Sequence, residues 1–248
     1  MIHSFLMIGQ SNMAGRGSIE DVPRVDNPHL KMLRNGRWQR MLFPVNPDRV
    51  FSGVSLAESF ADAYQRDHGV DVGLIPCADG GTQMDQWKAG GLLFDHAVFQ
   101  TQLALRTSSL AGVLWHQGES DSLPGLAEAY RDKLEAFYAA LTRALHLENV
   151  PFIVGGLGDF LRESERERTH YQLVNDQLRA FAAAHPMAAF ASAEGLEGKP
   201  DHLHFTAASQ RTLGLRYYAA YRTIDTSRLR FEEKPNEDDA LRTYIDAL

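Results

Sequence analysis

A short apolar run, Phe5 to Ile8, gives way to Gly9-Gln10-Ser11-Asn12-Met13-Ala14-Gly15-Arg16-Gly17. A hydroxyl set among glycines and amides at the end of such a run suits a phosphate loop, a nucleophile on a strand-to-helix turn, or an ordinary loop. The phosphate loop fails: Gly9 and Gly15 are spaced wrongly and no Lys-Ser/Thr pair follows. A dinucleotide fingerprint fails too, since Glu20 stands where its third glycine belongs. The nucleophile reading places the Ser11 hydroxyl at the strand's carboxyl end, with Gly9 permitting a tight turn. It is not the lipase elbow, because Met13 occupies the position of that motif's second glycine.

A serine hydroxyl needs a base to take its proton and an acid to orient that base. Asp201-His202-Leu203-His204 offers both, since a three-residue spacing lets one turn bring the Asp201 carboxylate against the His204 imidazole. His202, inside the motif, should point away. In Trp115-His116-Gln117-Gly118-Glu119-Ser120-Asp121, the Gln117 amide is a candidate oxyanion donor, and Glu119 is a second acid or a loop brace. Gly80-Gly81 lets backbone N–H groups approach a substrate oxygen closely. Ser55 also follows the pattern Gly-x-Ser, but Ser55 and Glu58 form a capping box, which gives that serine a structural task. Cys77 reads as a small buried residue. The ten histidines carry no metal signature, so neither metal nor cofactor is expected.

These residues must be held by a scaffold. Ser4 to Ile8, Val70 to Pro76, Ala111 to Trp115, Pro151 to Gly155 and Ala188 to Ala191 read as buried strands. Helical periodicity covers Ser55 to Arg66, Ala127 to Leu145, Glu165 to Ala184 and Ala207 to Tyr221. Such alternation predicts an α/β protein with a mostly parallel sheet covered on both faces. Ligands then bind outside the strands' carboxyl ends, where all the candidate residues fall. Lys31 to Met41, with Asn35-Gly36 at its centre, predicts a hairpin inserted after the first loop. Residues 1–224 form one domain in this reading. Residues 225–248 form an appendage with an acidic stretch, a short helix, and a surface or oligomer-contact role.

A chain of 248 residues, 44% hydrophobic, with a formal charge of −7, suits one globular domain and argues against a nucleic-acid partner. One cysteine excludes an intrachain disulfide. No run is long enough for a membrane span, and Met1 to Gly9 lacks a basic, then long apolar, leader, so a soluble, cytoplasmic protein is expected.

In this order, Gly9-Gln10-Ser11-Asn12-Met13-Ala14-Gly15, Gly80-Gly81-Thr82 followed by Trp87, the His116 to Asp121 block, and Asp201 to His204 resemble the SGNH-type acetylesterases of the sialate O-acetylesterase and carbohydrate esterase family 6 group. The resemblance spans residues 9 to 204 and implies a flavodoxin-like, three-layer α/β/α SGNH hydrolase fold. It further implies metal-independent hydrolysis of acetyl esters on sugars or oligosaccharides. Ser11 would be the nucleophile, His204 the base and Asp201 its acid, with Glu119 an additional or alternative acid. The oxyanion hole would draw on the Ser11 N–H, a Gly80 or Gly81 N–H, and Gln117. Gln10, Asn12 and Trp87 would contact substrate. Trp38, Trp87 and Trp115 are also candidates for stacking on a sugar ring. The competing readings are an esterase or thioesterase for other short acyl groups, a lipase on the same fold, and a non-catalytic carbohydrate-binding module.

Overall fold

The computed structural model of the chain describes residues 1–164 and 168–234. Its sheet has seven strands: β1 (Ile2–Gly9), β2 (Leu30–Arg34), β3 (Arg37–Arg40), β4 (Asp71–Pro76), β5 (Ser109–His116), β6 (Phe152–Gly155) and β7 (Ala188–Ala191). They lie in the order β3-β2-β4-β1-β5-β6-β7, and all neighbours pair parallel except β2 with β3. Without the hairpin, the parallel strands numbered in chain order run 2-1-3-4-5, the flavodoxin-like arrangement. The chain reverses direction of winding between β1 and β5, and a crevice opens there at the strands' carboxyl ends.

The helices are α1 (Ser11–Ala14), α2 (Leu56–His68), α3 (Leu92–Ala104), α4 (Tyr130–Leu145), α5 (Tyr171–Ala184) and α6 (Ala207–Tyr221). Alternation along β1 sorts them into two layers. Leu6 and Ile8 join the core beneath α3, α4 and α5, whereas Phe5 and Met7 join the one beneath α2 and α6. A sheet covered on both faces needs near-continuous apolar strands, and β1, β4 and β5 supply them.

Local chemistry accounts for several boundaries. The Ser55–Glu58 capping box forms at the start of α2, and Gly69 ends that helix in the left-handed region at φ 65°. Asn35 and Gly36 both take positive φ between β2 and β3, as a two-residue hairpin turn requires. The hairpin follows the first loop, as expected, and β2 also pairs with β4, so it extends the main sheet. Helix α3 was not legible in the sequence, because Leu92 and Phe99 are exposed while Leu93, Phe94 and Ala97 are buried, leaving no single apolar stripe. Helix α4 begins after a 3₁₀ turn at Ala127–Ala129. The expected helix from Glu165 starts at Tyr171, and residues 165–167 lie outside the described residues.

The described part of the C-terminal segment lies against the amino end of the sheet. The Phe231 ring stacks on His3 at 3.7 Å, and the Glu232 N–H donates to Ser109 Oγ at 3.1 Å. The expected short terminal helix falls outside the described residues. Among the described residues, no helix is long and apolar enough to cross a membrane.

Candidate active site

β1 delivers Ser11 to the crevice. Gly9 has φ 128°, and a Cβ there would sit 2.1 Å from the His116 carbonyl oxygen. Only glycine lets the ends of β1 and β5 approach so closely, and Gln10 N–H then bonds His116 O at 2.9 Å. The chain turns at once into α1, so Ser11 sits at a helix N-terminus with its hydroxyl toward a cleft of about 360 Å³.

Across that cleft, His204 Nε2 lies 3.0 Å from Ser11 Oγ. His204 Nδ1 lies 2.7 Å from Asp201 Oδ2. The other Asp201 oxygen accepts from the backbone N–H groups of Leu203 (3.0 Å) and His204 (2.9 Å), which locks the turn. Partial burial works to raise the Asp201 carboxyl, but bonds from the His204 ring and from both backbone N–H groups outweigh it and hold the group below the usual carboxylate range. His202 turns away, with Nδ1 3.5 Å from Glu163.

Glu119 lies elsewhere. It is 1% exposed, and among the described residues its carboxylate bonds Asn12 and faces His116, not His204. Its Oε1 accepts from Asn12 Nδ2 at 2.5 Å and faces His116 Nε2 at 3.3 Å. Burial tends to raise this carboxyl, but the His116 charge and the hydrogen bonds of His116 and Asn12 prevail and hold it low. His116 Nδ1 meets the Tyr217 hydroxyl at 3.0 Å, and that hydroxyl gives its only proton to Trp115 O at 2.7 Å. His116 Nδ1 is therefore the donor to Tyr217. His116 escaped the sequence reading. Its signal was an imidazole three residues before a carboxylate, the mirror of Asp201 and His204.

Three expected contacts are corrected by the structure. Gln117 is fully buried, and its Nε2 is committed to Asp121 Oδ2 (2.6 Å), Thr82 O (3.0 Å) and Gln10 Oε1 (3.2 Å), so no donor is left for an oxyanion. Trp87 is also fully buried, bonded to Thr82 Oγ1 and packed edge-on against Trp115, and it does not line the cleft. Asn12 spends its side chain on Glu119, Leu203 O and Phe205 N–H, tying α1 to the Asp201–His204 loop instead of reaching substrate. Trp38 packs over Gly73 at the sheet edge and Trp115 is core, so among the described residues no tryptophan lines this cleft.

The two glycines differ in their backbone partners. Gly80 N–H donates to Asp48 Oδ2 at 2.9 Å. The exposed Gly81, at φ 83°, lines the cleft, and its N–H has no partner among the described residues. Gln10 lines the cleft as well. Its Oε1 is pinned by Gln117 Nε2 and by Ser120 N–H at 3.2 Å, which leaves its Nε2 for a ligand.

The remaining wall is set by Arg16, Arg49, Phe51 and Arg168. Arg16 grips Asp48 with two bonds of 2.9 and 2.7 Å, both side chains nearly closed to solvent. Arg168 Nε holds the Glu119 carbonyl at 2.8 Å. Ser55 does structural work, accepting from Ala57 N–H and donating to Met13 O. Burial pushes the Cys77 thiol up, away from thiolate chemistry. Among the described residues, no three His, Cys, Asp or Glu side chains are grouped to hold a metal ion.

Residues 1–223 match the family described as carbohydrate esterase, sialic acid-specific acetylesterase. The chain is similar to a probable carbohydrate esterase of Arabidopsis thaliana, with 30% identity over 247 residues, 88% of this chain and 89% of the relative. A solved Arabidopsis thaliana structure superposes with a TM-score of 0.80 at 28% identity, covering 89% of this chain and 98% of its own. A carbohydrate acetylesterase of Xanthomonas citri shares the fold, with a TM-score of 0.70 at 19% identity, covering 90% of this chain and 56% of its own.

Proposed function

Since the chain belongs to the carbohydrate esterase family of sialic acid-specific acetylesterases, we propose that it hydrolyses O-acetyl esters of sugars or oligosaccharides through an acyl-enzyme on Ser11. The observation that carries this reading is the unbroken relay from Ser11 Oγ to His204 to Asp201 at an open cleft.

Ser11 Oγ attacks the acetyl carbonyl while His204 Nε2 takes its proton. Asp201 keeps the ring in the tautomer with Nδ1 protonated and stabilises the imidazolium. The Ser11 N–H, the Gly81 N–H and the Gln10 side-chain amide donate to the oxyanion, each donor contributing about 3 kcal/mol to the barrier reduction. The carbon–oxygen bond to the sugar breaks, and His204 returns the proton to the departing alkoxide. Water then attacks the acetyl-serine, His204 takes a proton from it, and acetate leaves as Ser11 regains its hydrogen. Proton transfer and charge stabilisation come from side chains and backbone, so the reaction proceeds without metal.

The test is acetate release from p-nitrophenyl acetate, acetylated xylo-oligosaccharides and O-acetylated sialic acid, with chelator present. Ser11→Ala should lower turnover by about 10⁴-fold or more, with an unchanged melting temperature. Activity retained in Ser11→Ala sinks the assignment.

A further inference from the structure

One segment of the cleft wall breaks the ordinary rule for turns. Ser52 N–H bonds Arg49 O at 3.0 Å and Arg49 N–H bonds Ser52 Oγ at 3.0 Å, which closes a turn with Val50 and Phe51 at its tip. Turn tips favour Gly, Asn, Asp and Pro. Here they carry two exposed apolar side chains, Phe51 being 66% exposed. A conflict between local chemistry and position is expected where function requires it.

The turn is held firmly. Asp48 is clamped by Arg16 and accepts from Gly80 N–H and Ser52 Oγ. Asn46 and the Ala78 backbone exchange two bonds of 3.0 Å. The Arg16 guanidinium lies 5.3 Å from the centre of the Phe51 ring and supports it from one side. The same ring lines the cleft that holds Ser11 and His204.

The geometry points to Phe51 as the platform on which the pyranose ring of the ester's alcohol part stacks. This inference rests on the proposed esterase reading and names the residue that selects its sugar. A sugar ring has a C–H face and a rim of hydroxyls. Among the described residues, the cleft offers the Phe51 ring amid polar groups: Gln10, Arg49, Ser120 and Asp201. A fatty acyl chain would instead require a continuous apolar trough.

Calorimetry decides the matter in the Ser11→Ala background, with acetylated xylo-oligosaccharides and O-acetylated sialic acid as probes. Adding Phe51→Ala should weaken the Kd of the bound sugar about tenfold, and Phe51→Trp should preserve it. In the Ser11 enzyme, Phe51→Ala should raise KM for the sugar ester more than it lowers kcat. The kcat/KM ratio of sugar ester to ethyl acetate should fall about tenfold. A Kd unchanged by Phe51→Ala, or no binding of any probe sugar, overturns the platform. Absence of esterase activity in the wild type defeats the esterase reading instead, and the calorimetry still judges Phe51.

Discussion

Two imidazole–carboxylate pairs lie within one site, and both have three-residue spacing. Asp201 and His204 sit on a turn at the cleft surface, with the Asp201 side chain 42% exposed. His116 and Glu119 are sealed below, both at 1% or less. The open pair reaches Ser11. The sealed pair reaches Asn12 and Tyr217, and through Asn12 it holds the helix that carries Ser11. Identical chemical types therefore occupy two settings, and in the proposed mechanism the open pair moves protons while the closed pair holds position. What separates them is access to the cleft.

Substitutions can break this contrast. Asp201→Asn keeps an acceptor for the two backbone N–H groups but disturbs the His204 tautomer. We expect kcat to fall by about 10³–10⁴-fold, with the melting temperature moving by less than about 2 °C. Glu119→Ala should do the reverse. Removing one partner of this buried imidazole–carboxylate pair should cost about 3 kcal/mol, or about 6–12 °C in melting temperature for a domain this size. Its kcat per folded molecule should fall less than in Asp201→Asn. If Glu119→Ala costs more turnover and leaves the melting curve intact, the orienting role belongs to the sealed pair.

Gln117→Leu sharpens the same distinction. It strips partners from Asp121 and Gln10, and a thermal melt should record a loss of about 1–3 kcal/mol. A fall of about 10²–10³-fold in kcat with no change in melting would instead make Gln117 an oxyanion donor.

His3 supplies the smallest effect and a third type of histidine, closed in and, among the described residues, without an acid partner. Burial lowers its pKa from 6.5 to about 4, with His68 and the N-terminal charge adding to the shift. Tyr64 and Phe231 are packed against the ring. The folded state keeps His3 neutral, so its contribution is fully present above pH 6.5 and is lost as pH falls toward 4. Wild type should lose about 1–2 kcal/mol more than His3→Gln between pH 7 and pH 4.5. Parallel losses in the two proteins would remove His3 from the account.

Much of the scaffold was legible because its signals are local. β7 and α6 have the bounds that apolar runs and helical spacing give, and the capping box marks the start of α2. Asn35-Gly36 announces its hairpin through the backbone conformations those two residues tolerate. Helix α3 was hidden, since apolar residues surround it and no stripe stands out.

For the site, sequence alone determined the inventory: a serine at a strand end, an Asp-x-x-His turn, paired glycines, and amides in adjacent loops. These follow from residue type and short spacing. Tertiary structure alone decided which groups meet. Ser11 and His204 are 193 residues apart, and only the crevice between β1 and β5 sets them 3.0 Å from each other. The same folding turned Gln117, Asn12 and Trp87 inward to Asp121, Glu119 and Thr82 and left Phe51 outside. Spacing along a chain specifies a turn. Burial and the partners of each donor depend on segments far apart in sequence, and those exist only once the layers have packed.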